Sequence, residues 1–161
     1  MQLIVATSGN GMIGLEGSIP FNCKSDQAFF KAVTLGKVCH VGYNTYPSVK
    51  TLKNREFVVI GRDRRPFYQR GAVVIGGANT YKAYMELDYI DTIYLTQVCG
   101  ATDGDTLLPE CLLPDNLRKS KVIDESGIIR PMWNESLIME KPQSDSDQYE
   151  IRIWKYIKNY K

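Results

Sequence analysis

The sequence predicts an α/β fold: a mixed, mostly parallel central sheet flanked by helices, with a C-terminal antiparallel hairpin. Three observations lead there. Short apolar runs alternate with helical periodicity through the first two thirds of the chain, the pattern of parallel strands joined by helices. Residues 3–6 are apolar without alternation, as a strand buried on both faces requires. The final third instead shows two strand patterns around the polar turn Ser144-Asp145-Ser146-Asp147.

Taken in order, residues 3–6 suit a strand at the sheet centre. Gly9, Gly11, Gly14, Gly17 and Pro20 then crowd one segment, which excludes a regular helix and favours a mobile loop. A long loop inside a small domain is usually functional. Ser25 reads as the N-cap of a helix over residues 26–35, with Phe29, Phe30 and Val33 on one face and Gly36 as the stop. A strand at 38–41, a short helix at 42–49 and strands at 57–60 and 72–75 follow. Gly76-Gly77 leads into a helix ending near Glu86, and 92–98 is another strand. Residues 136–141 pair with 149–157, where Tyr149, Ile151 and Ile153 alternate with Glu150, Arg152 and Trp154, giving one core face and one partly wet face. With no repeat, low-complexity tract or linker, 1–161 is expected to be a single domain.

Composition narrows the function classes. The 161 residues, 43% apolar and 24% charged, can bury a real core. Twenty basic and 18 acidic residues are scattered, so no basic stripe points to nucleic acid, although a small anionic ligand remains compatible. No apolar run approaches the roughly 18 residues of a membrane span, and the N-terminus lacks signal-peptide features, so a cytoplasmic location without membrane attachment is expected. Cys23, Cys39, Cys99 and Cys111 form no Cys-x-x-Cys pair and read as thiols, not as a zinc site or redox dithiol. The one histidine, His40, lies in an apolar-leaning strand and reads as a packing residue; no metal site is expected.

Gly9-Asn10-Gly11-Met12-Ile13-Gly14 matches the G-x-G-x-x-G pattern after a strand. A phosphate turn of that kind needs its last glycine to open a helix, and Gly17 and Pro20 prevent one, so the glycines are assigned to a flexible flap.

Chemistry concentrates in three other segments. Asp26, after Ile19-Pro20-Phe21-Asn22, enters the first turn of an apolar helix. The helix dipole favours its ionised form by roughly 0.3–1 kcal/mol, whereas burial beside Phe29 and Phe30 favours the neutral form. It is either an exposed capping residue or a buried acid that pairs with a protonatable heterocycle. Val73-Val74-Ile75-Gly76-Gly77-Ala78 joins strand to helix where backbone can approach a phosphate. Gly42-Tyr43-Asn44-Thr45 is a second such junction, and two of them in one parallel sheet suit a dinucleotide.

Together and in order, these segments resemble dihydrofolate reductase. The residues that carry the likeness are Ile13-Gly14, Ile19 to Asn22, Asp26 with Phe30-Lys31, Thr34 to Lys37, Gly42 with Thr45 and Ser48, Arg55, Val74 to Gly77 with Tyr81, and Gly104-Asp105-Thr106. The resemblance implies NADPH-dependent reduction of 7,8-dihydrofolate to tetrahydrofolate in one-carbon metabolism, by hydride transfer to C6 and protonation at N5. It makes Asp26 the pterin-binding acid and Thr96 its support. Phe30 becomes the aromatic wall, Arg55 the grip on the glutamate tail, and Ile4, Val5, Ala6 and Val49 further substrate contacts. Ala6, Ile13, Gly14, Gly42, Asn44, Thr45, Arg62, Ile75, Gly76, Gly77, Ala78 and Tyr81 would surround NADPH. Loop 9–24 would be a lid over the nicotinamide. The resemblance further implies a cis peptide between the paired glycines, antifolate inhibitors as ligands, and a monomer.

Two departures stand out. Tyr43 replaces the basic residue that many members carry after the strand glycine. Only ten residues, 62–71, separate the strand ending near Gly61 from the next, where the family inserts a helix and a strand. Ten residues extend about 33–36 Å, enough to cross one neighbouring strand, so a bare crossing loop is expected. Its Arg62, Arg64, Arg65 and Arg70 either hold the 2′-phosphate of NADPH or are simply solvated. A pyrimidine reductase of riboflavin synthesis and a non-catalytic folate- or dinucleotide-binding relative are the rival functions. Asp26 with Arg55 weighs against the first.

Overall fold

The computed structural model describes residues 1–143 and 149–159. Strand β1 (Gln2–Ser8) is followed by β2 (Met12–Gly14), helix α1 (Lys24–Thr34), β3 (Val38–Gly42), α2 (Tyr46–Val49) and β4 (Glu56–Ile60). After the crossing loop come β5 (Val73–Gly76), α3 (Ala78–Glu86), β6 (Thr92–Val98) and β7 (Thr106–Leu107). A 3-10 turn (Glu110–Leu112), α4 (Pro114–Lys119), β8 (Lys121–Ile123), β9 (Ile129–Pro131), β10 (Trp133–Lys141) and β11 (Ile151–Lys158) complete the described chain.

The main sheet has the order β10-β11-β6-β1-β5-β3-β4. β6, β1, β5, β3 and β4 run parallel, and β11 and β10 add antiparallel at one edge. The mixed sheet and its two antiparallel edge strands are thus as the sequence predicts; the predicted turn 144–147 lies outside the described residues. β1 sits between β5 and β6, and its unbroken apolar run serves two cores. Leu3 and Val5 pack with Val74, Tyr84 and Leu95 on one face, while Ile4 packs with Val41, Val73 and Ile75 on the other, against Phe29, Phe30 and Val33 of α1. Each such side chain, fully buried, contributes about 1.5–3 kcal/mol.

Three local expectations are corrected. Helix α1 begins at Lys24 with Cys23 as its N-cap, so Ser25 lies in the first turn and does not cap it. Thr34 is the last helical residue, and Gly36 then takes φ +74° and donates its N–H to Asn54 O at 2.8 Å. The predicted helix over 42–49 contracts to Tyr46–Val49. Pro47 explains this: with no N–H to give, it fits the first helical turn and breaks an interior one, so the helix cannot start at Gly42. The glycine-rich flap is not wholly irregular, since β2 pairs antiparallel with β7 through Met12↔Leu107 and Gly14↔Thr106. No helix follows Gly14, in keeping with the rejected phosphate turn.

The crossing loop has no helix or strand and passes β3, the one strand between β4 and β5. Residues 124–131 supply the turn and second strand of the β8–β9 ribbon, and Trp133 and Asn134 open β10. Asp124 closes the ribbon's turn by accepting from Arg130 Nε, Ser126 and Ile128, and the Arg130 guanidinium holds its carboxyl well below the usual range. Among the described residues no helix is long and apolar enough to cross a membrane, and no cluster of His, Cys, Asp and Glu could hold a metal ion.

Candidate active site

A cleft of about 1390 Å³ opens across the carboxyl ends of β1, β3 and β5, bounded by α1 and the β2 flap. Open parallel sheets bind ligands at such strand ends.

Asp26 stands on the α1 wall. Its residue is only 7% exposed, which removes the reading as a solvent-facing cap. Burial wins over the helix dipole: desolvation raises the carboxyl above its ordinary range, and the nearby Thr96 hydroxyl opposes this only in part. Thr96 Oγ1 faces that carboxyl without forming a well-aligned hydrogen bond, and it is a buried polar atom left without a partner. Such an atom carries a desolvation cost unless a ligand or water completes it. Below the floor, Tyr81 donates its hydroxyl to Ile4 O at 2.7 Å, and burial followed by the Asp26 charge raises its pKa.

Arg55 closes the opposite end. Its Nε donates to Thr34 Oγ1 at 2.8 Å and its Nη1 to Lys53 O at 2.8 Å, while the guanidinium carbon lies 5.9 Å from the Phe30 ring centre. These contacts fix the plane of a fork suited to a carboxylate.

The two glycine-bearing junctions touch. A Cβ on Gly77 would lie 2.8 Å from Thr45 Oγ1, and one on Gly42 would lie 2.6 Å from Thr80 Oγ1 and 3.5 Å from Gly77 N. Only glycine permits this approach, and it leaves a backbone-lined cradle at the N-terminus of α3. The Gly76–Gly77 peptide is cis, as the resemblance implied, and Gly76 takes φ +132°.

The flap is clasped by the segment leading into β7, which pairs beside it. Glu16 N–H donates to Asp105 Oδ2 at 2.8 Å, Thr106 Oγ1 donates to Asp105 Oδ1 at 2.8 Å, and Asp105 N–H donates to Gly14 O at 2.9 Å. The Glu16 amide, then the Thr106 hydroxyl, hold the Asp105 carboxyl below its usual range.

Of the residues singled out from sequence, Asp26, Ile4, Val5, Ala6, Phe30, Val49 and Arg55 line the cleft, as do Ile13, Gly14, Gly42, Asn44, Thr45, Ile75, Gly76, Gly77, Ala78 and Tyr81. Two do not. Thr96 lies behind Asp26, and Arg62 borders an adjoining hollow that shares Tyr43 and Gly61 with the cleft. His40 is fully buried and bonded at both ring nitrogens, as a packing residue should be. Sequence reasoning missed the Asp105 clasp as a site feature and Leu52 as a lining residue. The signal available in the sequence for the latter was only a leucine three residues beyond Val49.

Comparison with known proteins agrees with this geometry. A family model described as dihydrofolate reductase matches residues 1–71. A dihydrofolate reductase of Haemophilus influenzae is 31% identical over 129 residues, covering 68% of this chain and 78% of that protein. A dihydrofolate reductase type 3 of Salmonella typhimurium is 32% identical over 133 residues, with 70% and 80% coverage. The structure of a dihydrofolate reductase from Enterococcus faecalis complexed with NADP(H) and RAB-propyl superposes with a TM-score of 0.72 at 22% identity, over 99% of this chain and 96% of that one. With that identity sustained over more than three quarters of its curated relatives, the chain belongs to the dihydrofolate reductase family.

Proposed function

We propose that this chain reduces 7,8-dihydrofolate to tetrahydrofolate with NADPH. The observation that carries the reading is the buried Asp26 carboxyl, backed by the unpartnered Thr96 hydroxyl and set beside the touching Gly42 and Gly77 junctions.

Asp26 binds N3 and the 2-amino group of the pterin, and Thr96 completes that network. A carboxyl of raised pKa in a low-dielectric wall shares a proton with the ring and so favours protonation at N5. Phe30 and Val49 flank the ring over the β1 floor, and Arg55 takes a carboxylate of the glutamate tail through its oriented fork. The residues fit a dinucleotide: the cradle that a Cβ at Gly42 or Gly77 would fill admits its phosphates, with Asn44, Thr45 and Ala78 around them. NADPH, when bound, supplies the hydride for C6. Ile13 and Gly14 on the flap, held by Asp105, cover that part of the cleft and keep water out. Arg62, at the adjoining hollow, takes the 2′-phosphate in place of the contact absent at Tyr43. The enzyme acts as a monomer, and antifolates enter the same pterin site.

Loss of absorbance at 340 nm with purified protein, NADPH and dihydrofolate tests this. The rate is expected to require both reactants. A folded protein that consumes neither would contradict the reading.

A further inference from the structure

Crossing loop 62–71 must hold four arginines without a helix or strand of its own. Its ends are tied by backbone bonds, Gly61 N–H to Arg64 O at 2.9 Å and Ala72 N–H to Gln69 O at 3.2 Å. Between them Gln69 N–H donates to Met1 Sδ at 3.3 Å and Tyr68 packs edge-on against Tyr89, while Gln69 and Phe67 both reach one buried residue, His40 of β3.

The His40 imidazole reaches two elements in opposite directions. Nε2 meets Gln69 Oε1 of the loop at 2.7 Å, and Nδ1 meets the Tyr84 hydroxyl of α3. Tyr84 is itself fully buried, and its oxygen accepts the loop's Phe67 N–H at 3.4 Å. One tautomer satisfies every partner as placed: Nε2–H donates to Gln69, and bare Nδ1 accepts from Tyr84. The Phe67 ring lies 4.8 Å from the imidazole, centre to centre, and the Arg64 guanidinium carbon lies 6.0 Å from the centre of that ring. A continuous line of contact thus runs from His40 through Phe67 to Arg64. Arg64 and Arg62 border the hollow of about 460 Å³ that shares Tyr43 and Gly61 with the main cleft.

An apolar side chain of similar size could fill the His40 site. What the imidazole adds is two directed bonds that fix the loop against β3 and α3. We infer that His40 is a positioning residue for cofactor recognition: through Gln69 and Phe67 it sets the crossing loop so that Arg62 and Arg64 face the adenosine end of the dinucleotide. The inference rests on the assignment of NADPH to the cleft.

The test compares Gln69→Leu, His40→Phe and the double variant Arg62→Ala/Arg64→Ala, by KM and kcat with NADPH, NADH and dihydrofolate. Gln69→Leu removes the loop-side bond and leaves His40 and Tyr84 in place, so it keeps the test open where His40→Phe does not fold. Losing one directed hydrogen bond is expected to raise the NADPH KM about three- to tenfold. The NADH KM should move less, and kcat and the dihydrofolate KM should stay within about twofold. A folded Gln69→Leu enzyme with an unchanged NADPH KM, or with all parameters worsened in proportion, overturns the positioning role. If the arginine pair can be removed without raising the NADPH KM, the placement of the cofactor at this loop is what fails. A rise in the arginine variant alone overturns only the His40 inference.

Discussion

The α1 wall of the cleft and the crossing loop at its adjoining hollow are built on opposite principles. At the α1 wall a single carboxyl, Asp26, is buried among apolar side chains, and its environment raises its pKa. At the crossing loop the charges are exposed and their number is high, but one buried imidazole anchors them. Burial gives one group a large effect on chemistry, because a low-dielectric surrounding magnifies each interaction. Exposure gives several groups small, overlapping effects on affinity, because solvent screens them. Substitutions at the wall should therefore act on turnover, and substitutions at the loop on cofactor choice.

The largest expected effect is at Asp26. Asp26→Asn should lower turnover near neutral pH on the order of a hundredfold or more, while NADPH still binds when followed by fluorescence titration. An unchanged rate would place the proton-sharing group elsewhere. Next comes Arg55→Leu. Losing a charge-assisted pair is expected to raise the dihydrofolate KM about ten- to a hundredfold, with no change for a substrate analogue that lacks the glutamate tail. A Gly42→Ala change would set a methyl 2.6 Å from Thr80 Oγ1. It should cost about 1–3 kcal/mol in denaturant unfolding and weaken NADPH; a neutral result would mean that β3 and α3 can part there freely. The smallest effect belongs to the loop: Arg62→Ala should raise the NADPH KM severalfold and leave NADH nearly untouched. Equal losses for both would erase the contrast between wall and loop.

How much of this was legible in the sequence follows from where the determining contacts lie. The apolar run at β1 and the ten-residue span of the crossing loop each announced their structure locally. So did the paired glycines, whose cradle needs no side chain to be recognised. The start of α1 was misread because Ser25 is a good cap by type, yet Cys23 takes the position in the folded chain. The flap's order was not legible, since β2 finds its partner only in Thr106–Leu107, far along the chain and two residues long. The β8–β9 ribbon eluded pattern reading because Ile123, Ile128 and Ile129 are exposed, contrary to their type. Asp26 was visible as a carboxylate before an apolar helix. Whether it faced water or the core was a tertiary question that spacing could not answer.

Unfolding free energy of the ligand-free parent and Asp26→Asn proteins, measured from pH 3 to pH 8, tests the central claim. The folded carboxyl has its pKa raised above the unfolded value of about 3.9. Once pH passes that value the unfolded chain binds fewer protons than the folded one, and the parent loses stability until pH exceeds the folded pKa. The account predicts that Asp26→Asn is the more stable protein at pH 7 and that its advantage disappears below about pH 4. Stability curves that stay parallel across the range would contradict it.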